Sequence, residues 1–535
     1  MPWLEARAAL LVLTIIAVAA IRLAAAYPEN GITFDEPGHM ACGLQFLAQH
    51  VYRYESQHPP LARVMSALGP YLAGARPMGI ANQDQEGVAV MYRDSHVLRT
   101  LILMRLGILP FFFLACLVVY CWAARDFGKP VALVATTLFT LLPPVLAHAG
   151  VATTDMPLAA CLGLAFLCLL RWAEQPTLLR SLAWGAATGL MVLSKFTALG
   201  FFPAAAALAL VAYLVTRKPS LDHLIELAER RTVPLVVAVL TGALVIWAGY
   251  LFSFGKVPVW KITLPAPELF DGVRFALRHN DVGHMAYLLG DLSRKGWWYY
   301  FPVVLAVKTP IAFLLLLSGG AWLCWTRRRE TVQWLPWALS LGILIPAMMG
   351  NVNIGVRHIL PVYIGFSIAA ALALVRLLTW ASSRKWAGGL AAVLCLWLVV
   401  SGAVNHPDYL AYFNEFAGSH PENILVDSDL DWGQDTVRLA QWQKDNGVST
   451  IHFLTMNLNA DRLKVWPGIE GVQVIDPLKP SEGWTVVSPT ILIFNEFGLN
   501  HRYANLKPWF RFIPPYGKVG SQILYYVPPG SLPRS

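Results

Sequence analysis

Charged residues are scarce in this chain of 535 residues. Asp, Glu, Lys and Arg together make up only 14%, whereas an average soluble domain has roughly 25%. Hydrophobic residues account for 56%, and the mean hydropathy is +0.52. This composition argues against a soluble multidomain enzyme and indicates that lipid surrounds much of the chain.

Cysteine and clustered positive charge are also in short supply. The seven cysteines are scattered, mostly in or beside apolar runs, so they form neither a disulfide framework nor a zinc-ligand spacing. The net charge of +9 is modest and dispersed, which argues against a nucleic acid partner. Aromatic residues, in contrast, are plentiful, and 20 Trp with 18 Tyr suit a protein with two membrane interfaces.

Apolar runs long enough to cross a bilayer core of about 30 Å recur along the chain. We therefore predict a polytopic α-helical membrane protein with about eleven transmembrane helices. The predicted spans are 8–26, 101–122, 131–147, 156–172, 181–195, 198–216, 232–253, 300–325, 334–350, 358–378 and 388–404.

Lys and Arg cluster in alternate loops between these spans. The positive-inside rule then places the N-terminus in the cytoplasm and, with an odd number of spans, the C-terminus on the outer side. The outward segments are 27–100, 254–299 and the tail, which gives a transmembrane domain at 1–404 and a soluble domain at 405–535. Cleavage of the first run as a signal peptide is an alternative, which Arg22 disfavours because it interrupts the run.

Two adjacent carboxylates, Asp35 and Glu36, follow the first span, and Pro37 suits the first turn of a helix. Asp35 could therefore be a simple N-cap, which stabilises a helix by about 1 kcal/mol, or a reactive group. His39 lies three residues after Glu36, and His58 precedes an apolar helix that we expect to be interfacial.

A second outward acid, Asp155, stands at the mouth of a span, where an unpaired charge is costly. With His148 nearby, this loop and the first could converge on one pocket that deprotonates a hydroxyl or holds a divalent metal ion. Arg357, next to His358, could bind a phosphate bidentately or anchor the chain at the interface. For Lys195, a snorkelling role is favoured over a phosphate contact.

These motifs, in this order and on one side of the membrane, resemble the C-type (GT-C) membrane glycosyltransferases. Within that class the chain is similar to the protein O-mannosyltransferases and aminoarabinose transferases, which are phospholipid-carrier-dependent glycosyltransferases. The resemblance covers roughly 8–404 and rests on Asp35-Glu36, His58-Pro59-Pro60-Leu61, Asp155 and Arg357-His358.

The resemblance implies transfer of one sugar from a polyprenyl monophosphate carrier to a lipid, glycan or protein acceptor at the outer face. Asp35 would be the general base, while Glu36 and Asp155 would orient acceptor, donor or metal, with a divalent metal ion as a candidate cofactor. Arg357 would lie near the carrier phosphate, with His358 and Lys195 as further candidates. One-step displacement predicts inversion at the anomeric carbon.

The chain departs from the family pattern at two positions. Protein O-mannosyltransferases have one residue between the Asp-Glu pair and the next His, whereas Pro37 and Gly38 precede His39 here. Aminoarabinose transferases have Lys where this chain has His58. The orienting roles of both histidines, and the identity of the sugar, therefore do not follow from the resemblance.

The other outward segments give weaker signals. His279, Asp281 and His284 could ligate a metal, although a solvated loop is favoured, and the aromatic run at 297–301 suits an interfacial belt better than a sugar platform.

The tail predicts a small outer α/β domain. Its predicted elements are strands at 423–426, 450–454, 486–494 and 522–527 and a helix at 436–445. Its acidic cluster at 427–435 does not fit an EF-hand, but it could bind acceptor or cation from the end of a strand, or simply lead into the helix.

A multi-span transporter or lipid flippase is the main alternative function. Transporters usually carry ionisable residues near the bilayer midplane and internal repeats, and neither is evident here. A structural subunit would leave the outward acids without a role. The absence of a tail disulfide and a retention signal favours a bacterial inner membrane with undecaprenyl phosphate over a eukaryotic one with dolichyl phosphate.

Overall fold

The computed structural model describes residues 7–93, 96–257, 260, 262–454, 468–475, 481–494 and 509–532. Helices dominate up to Val404, and a sheet-containing domain follows. The helices, in chain order, are α1 Ala8–Ala26, α2 Glu36–Gln49, α3 Pro60–Leu72, α4 Gln83–Tyr92, α5 Val97–Phe127, α6 Lys129–Leu141, α7 Pro143–Ala149, α8 Asp155–Glu174, α9 Leu178–Ser194, α10 Ala198–Arg217, α11 Leu221–Gly249, α12 Pro267–Val282, α13 Tyr300–Lys308, α14 Ile311–Thr326, α15 Thr331–Met349, α16 Val362–Trp380, α17 Lys385–Val404 and α18 Thr436–Asp445.

Within the described residues, eight helices are long and apolar enough to cross a membrane, and two bent pairs bring the number to as many as ten. The eight helices are α1, α5, α8, α10, α11, α15, α16 and α17. The fifth predicted span is α9, an apolar helix of 17 residues. The prediction of a polytopic helical membrane protein is confirmed.

Two predicted spans are broken by proline rather than continuous. The helices α6 and α7 meet at 68°, and α13 and α14 meet at 118°. Leu142 and Thr309, which precede Pro143 and Pro310, are extended, because the proline ring disfavours a helical conformation in the residue before it.

The first outward segment contains three helices, of which α3 and α4 each pack on α2 and on α5. The helix predicted after His58 is present as α3. The helices α2 and α3 cross closely at Gly43, where a Cβ atom would lie 2.1 Å from the carbonyl oxygen of Arg63. Glycine at this position therefore lets α2 present its N-terminus beside the spanning helices.

In the second outward segment, one antiparallel hairpin precedes α12 in the chain and another follows it. Strands β1 Phe254–Lys256 and β2 Thr263–Pro265 form one, and β3 Ala286–Leu288 with β4 Asp291–Ser293 form the other. The C-terminal domain is a mixed five-stranded sheet with strand order β6-β5-β7-β9-β8, accompanied by α18. Its strands are β5 Ile451–Leu454, β6 Val472–Val474, β7 Gly483–Val487, β8 Gly517–Val519 and β9 Gln522–Val527.

The predicted α/β domain is thus confirmed, but two of its strands were wrong. Residues 423–426 lie between the short 3₁₀ turns Pro421–Asn423 and Asp427–Asp429. The strand predicted at 486–494 ends at Val487, and 489–494 are helical. Pro489 explains the second error, because proline cannot donate to a strand ladder but suits the first turn of a helix.

The predicted orientation can be tested with reporter fusions. A fluorescent protein that folds only in the cytoplasm should be bright after Arg329, and a phosphatase that is active only outside the cytoplasm should be active after residue 535. Activity of the two reporters at the opposite positions would contradict the predicted topology.

Candidate active site

A cavity of about 530 Å³ lies between the first outward segment, the turn before α10, helix α12 and the turn before α16. Seven residues singled out in the sequence line it, namely Asp35, His58, Lys195, His279, His284, Arg357 and His358. The fold therefore brings together side chains that are more than 300 positions apart in the chain.

Asp35 occupies the N-cap position of α2, but its carboxylate accepts no hydrogen bond from the first turn of that helix in the described structure. Its Oδ2 atom instead accepts a hydrogen bond from Nη1 of Arg357 at 2.7 Å. The interpretation of Asp35 as a simple helix cap is therefore wrong. Burial raises the pKa of Asp35, but the charge and hydrogen bond of Arg357, together with His39 and His58, more than offset this effect, so the pKa lies below its usual range.

Arg357 sits in the 3₁₀ turn Val356–Ile359, just before α16. The side chain is only 9% exposed, and its guanidinium lies over the ring of Trp432, 4.2 Å from the ring centroid. Its Nε atom donates to the carbonyl oxygen of Ile354 at 3.2 Å. A guanidinium so enclosed is held in place, unlike an interfacial anchor that snorkels to headgroups.

Lys195 follows the last residue of α9 in an extended conformation. Its Nζ atom donates to Oδ1 of Asp155 at 2.6 Å, while Thr153 donates to Oδ2 at 3.1 Å. Lys195 lines the cavity and Asp155 lies behind it. The favoured snorkelling interpretation of Lys195 is wrong, since the side chain is buried and paired.

Glu36 points away from the cavity and is completely buried. Its two oxygens accept hydrogen bonds from Nε and Nη2 of Arg105 at 2.9 and 3.0 Å, and from the backbone N–H groups of Thr33 and Ala152 at 2.9 Å each. This carboxylate ties the first outward segment to α5 and to the turn before Asp155. The geometry thus gives Glu36 a structural position rather than a place beside acceptor or metal.

Two histidines of this region, His39 and His358, supply little charge. Burial, reinforced by Arg63, lowers the pKa of His39 to about 3, and His39 accepts a hydrogen bond from Arg63 at 3.1 Å, outside the cavity lining. Burial and Lys195 lower the pKa of His358 to about 3. His58 lines the cavity and pairs with Glu55 at 3.1 Å. His358 is therefore neutral near pH 7 and can offer a hydrogen bond, but no charge, to a phosphate.

The described residues do not fit a metal site. They contain no group of three or more His, Cys, Asp or Glu side chains that could hold a metal ion. The two candidate ligands, Glu36 and Asp155, are each paired with a cation. His279 and His284 line the cavity with ring centroids 5.5 Å apart but without a third ligand in the described part of the chain.

Residues that the sequence reasoning missed complete the site. Arg63 anchors Glu55 and His39 from α3, and Trp432 packs under Arg357. Asp427 interacts electrostatically with both Arg357 and Asp35. The acidic cluster at 427–435 was a visible signal in the sequence, but no local pattern indicates that it contacts a turn some 70 residues earlier.

Comparisons with known proteins agree with this architecture. Residues 104–247 match the family model for dolichyl-phosphate-mannose-protein mannosyltransferase. A solved oligosaccharyltransferase of Archaeoglobus fulgidus, tethered with an acceptor peptide, is similar in structure with a TM-score of 0.52 and 13% sequence identity, covering 89% of this chain and 64% of that one. The chain has the fold of the C-type membrane glycosyltransferases. The predicted resemblance to this class, and to its O-mannosyltransferase group, is confirmed.

A second solved structure is also similar to the chain. The ArnT structure of Cupriavidus metallidurans bound to undecaprenyl phosphate is 15% identical, covers 96% of this chain and 97% of that one, and has a TM-score of 0.49. No curated protein sequence matches the chain. The region that matches the family model contains Asp155 and Lys195, whereas Asp35 and Arg357 lie outside it.

The two adjacent acids should behave differently when they are neutralised. Glu36→Gln leaves the fully buried Arg105 without a counter-charge, so we expect a loss of about 3–5 kcal/mol in the free energy of unfolding. Asp35→Asn keeps an acceptor oxygen beside Arg357, and the Asp35 side chain is 26% exposed at the edge of a cavity, so this change should cost less, about 1–2 kcal/mol. Unfolding midpoints in detergent would measure both, and equal destabilisation would contradict the structural assignment of Glu36.

Proposed function

We propose that this protein transfers a single sugar from a polyprenyl monophosphate carrier to an acceptor, with inversion, at the outer face of a membrane. The observation that supports this most strongly is the cavity itself. A carboxylate, Asp35, and two cations, Arg357 and Lys195, open onto the same space at the ends of the spanning helices. A proton acceptor and a phosphate-binding pair are the two requirements of such a transfer.

The walls of the cavity suit a donor with a polar head and an apolar tail. Leu199 and Phe201 of α10 and Pro346 and Ala347 of α15 line one side, and Leu199 is 43% exposed. An apolar chain in the lipid could therefore lie beside these helices while its phosphate reaches the charged side. A transporter substrate would not require this combination of a base and an apolar wall.

In the proposed reaction, Asp35 removes the proton from the acceptor nucleophile, which then attacks the anomeric carbon. The bond from that carbon to the phosphate oxygen breaks, and the phosphate leaves with the bonding electrons. Arg357 and Lys195 stabilise the charge that develops on the departing phosphate. Attack from the side opposite the leaving group inverts the configuration at the anomeric carbon.

The ion pair between Asp35 and Arg357 would have to loosen before this step. Paired as it is, Asp35 has a lowered pKa and is a weak base. A donor phosphate competes for the Arg357 guanidinium, and partial loss of that partner raises the pKa of Asp35. Binding of the donor would thus convert Asp35 into a better proton acceptor.

The orientation predicted from the charge distribution would place this chemistry at the outer face of the membrane. In a bacterial inner membrane that face is the periplasm, and the carrier would be undecaprenyl phosphate. Because the proposed chemistry specifies the carrier, the assay uses a panel of polyprenyl-phosphate sugars as donors.

Asp35→Asn should abolish transfer without unfolding the protein. Purified wild type and variant would each receive a panel of polyprenyl-phosphate sugars and an acceptor-containing membrane extract, and release of polyprenyl phosphate would be measured. Loss of a general base predicts a fall in kcat of about 10²–10⁴-fold. Asp291→Asn, which removes an exposed carboxylate of the second outward segment, is the matched control.

Release that is unchanged in Asp35→Asn would remove this residue from the role of base. Retention of the anomeric configuration in the product would exclude a single displacement. The absence of release by wild-type protein with every donor would contradict the proposed function and favour transport.

Donor binding should weaken as the pH rises through about 7. Burial raises the pKa of Asp427 to about 7, with Arg357 opposing and Asp35 and Asp429 adding to the increase. Below this pH Asp427 is neutral, whereas above it a new negative charge competes for Arg357 and repels the phosphate. The KM for donor should therefore rise about threefold to tenfold between about pH 6 and about pH 8.5.

Asp427→Asn should remove this pH dependence, because the amide cannot ionise. Asn also tolerates the left-handed backbone at this position, where φ is 61°. The sugar-phosphate donor is a diester and does not titrate in this range, so a KM that still rises in the variant would contradict the assignment.

A further inference from the structure

The soluble C-terminal domain reaches into the cavity region through its residues 427–435. The backbone N–H of Gly31 donates to the carbonyl oxygen of Gln434 at 2.7 Å, and that of Phe34 donates to the carbonyl oxygen of Trp432 at 3.0 Å. These bonds join the C-terminal domain to the residues directly before Asp35. The domain therefore contacts the segment that carries the proposed base.

The same segment holds the turn that carries Arg357. Ser428 donates through its hydroxyl to the carbonyl oxygen of Ile354 at 2.9 Å, and Oδ1 of Asp429 accepts from the N–H of Val356 at 3.0 Å. Gly355 has φ of 85°, and a Cβ atom there would lie 2.6 Å from Oδ2 of Asp429. The turn that carries Arg357 therefore packs directly against residues 427–435.

Trp432 supplies the surface on which the guanidinium rests. It is 2% exposed, and its ring lies under Arg357 on one side while Asp35 pairs with the guanidinium edge. Lys308 also holds the segment, since its Nζ atom donates to the carbonyl oxygens of Asp429 and Leu410 at 2.5 and 2.9 Å. A desolvated cation–π contact restricts a guanidinium strongly.

We propose that Trp432 and Asp429 of the C-terminal domain are positioning residues for Arg357, so that this domain forms part of the binding site for the donor phosphate. The inference rests on the proposed function, because it assumes that Arg357 binds the carrier phosphate. It goes beyond that function in giving the soluble domain a direct part in recognition of the carrier. Neither residue touches the reacting atoms.

Binding of undecaprenyl phosphate, measured by titration calorimetry in detergent, distinguishes the phosphate-binding role of Arg357 from the positioning role of the C-terminal domain. Trp432→Leu and Asp429→Ala should each raise the Kd about tenfold, which is the effect of losing one buried cation–π contact or one turn contact. Trp432→Phe, which keeps an aromatic face, should recover part of the loss. Trp442→Leu is the matched control, because Trp442 packs on Trp484 in the same domain and lies away from the cavity.

A double-mutant cycle distinguishes positioning from general damage to the domain. In an Arg357→Gln background, Trp432→Leu should change the Kd less than twofold, because the group that it positions is already gone. Additive effects of the two substitutions would overturn the inference. So would a Kd for Trp432→Leu equal to that of wild type, or an equal loss in Trp442→Leu.

If the proposed function were wrong, the same binding measurements would give a different result. Wild-type protein that does not bind undecaprenyl phosphate, or Arg357→Gln that binds it as tightly as wild type, would contradict the phosphate role of Arg357 itself. Tight binding by wild type, weakening in Arg357→Gln and no effect of Trp432→Leu or Asp429→Ala would contradict only the part played by the C-terminal domain.

Discussion

The ion pair between Asp35 and Arg357 is the interaction on which the rest of the candidate site depends. It joins the start of α2 to the turn before α16 across the cavity, with 2.7 Å between Oδ2 and Nη1. The pair neutralises two charges that would otherwise be costly to bury beside apolar helix ends. It also gives each partner a second possible ligand, since Arg357 can exchange the carboxylate for a phosphate and Asp35 can then accept a proton.

Several buried contacts around the cavity hold this pair in place. The ion pair of Glu36 and Arg105 joins the first outward segment to α5. The ion pair of Lys195 and Asp155 joins the turn before α10 to the start of α8. The C-terminal domain clamps the turn of Arg357 through Asp429 and Trp432. Three parts of the chain that are separate in sequence therefore share one charged centre at the membrane edge, where a lipid carrier would present its phosphate.

Sequence patterns predicted the spans well because the length and apolarity of a helix that crosses lipid are set by the bilayer. They also singled out Asp155, because a charge at the mouth of a span is costly unless it is paired, and the motifs of the family resemblance gave Asp35 and Arg357 their expected roles. For Lys195, however, sequence patterns favoured a snorkelling role, which was wrong. They could not separate the structural Glu36 from its neighbour Asp35, because burial and the partner Arg105 depend on helix packing. The role of Trp432 was equally invisible, since a cation–π contact between distant segments leaves no local pattern.

The most direct test is a structure of the protein with a polyprenyl monophosphate bound. The account predicts a phosphate in contact with the Arg357 guanidinium, and the Asp35 carboxylate released from its 2.7 Å pair and facing the space where an acceptor would lie. A phosphate bound elsewhere, with the pair between Asp35 and Arg357 intact, would contradict the central claim that the donor phosphate displaces Asp35 from Arg357.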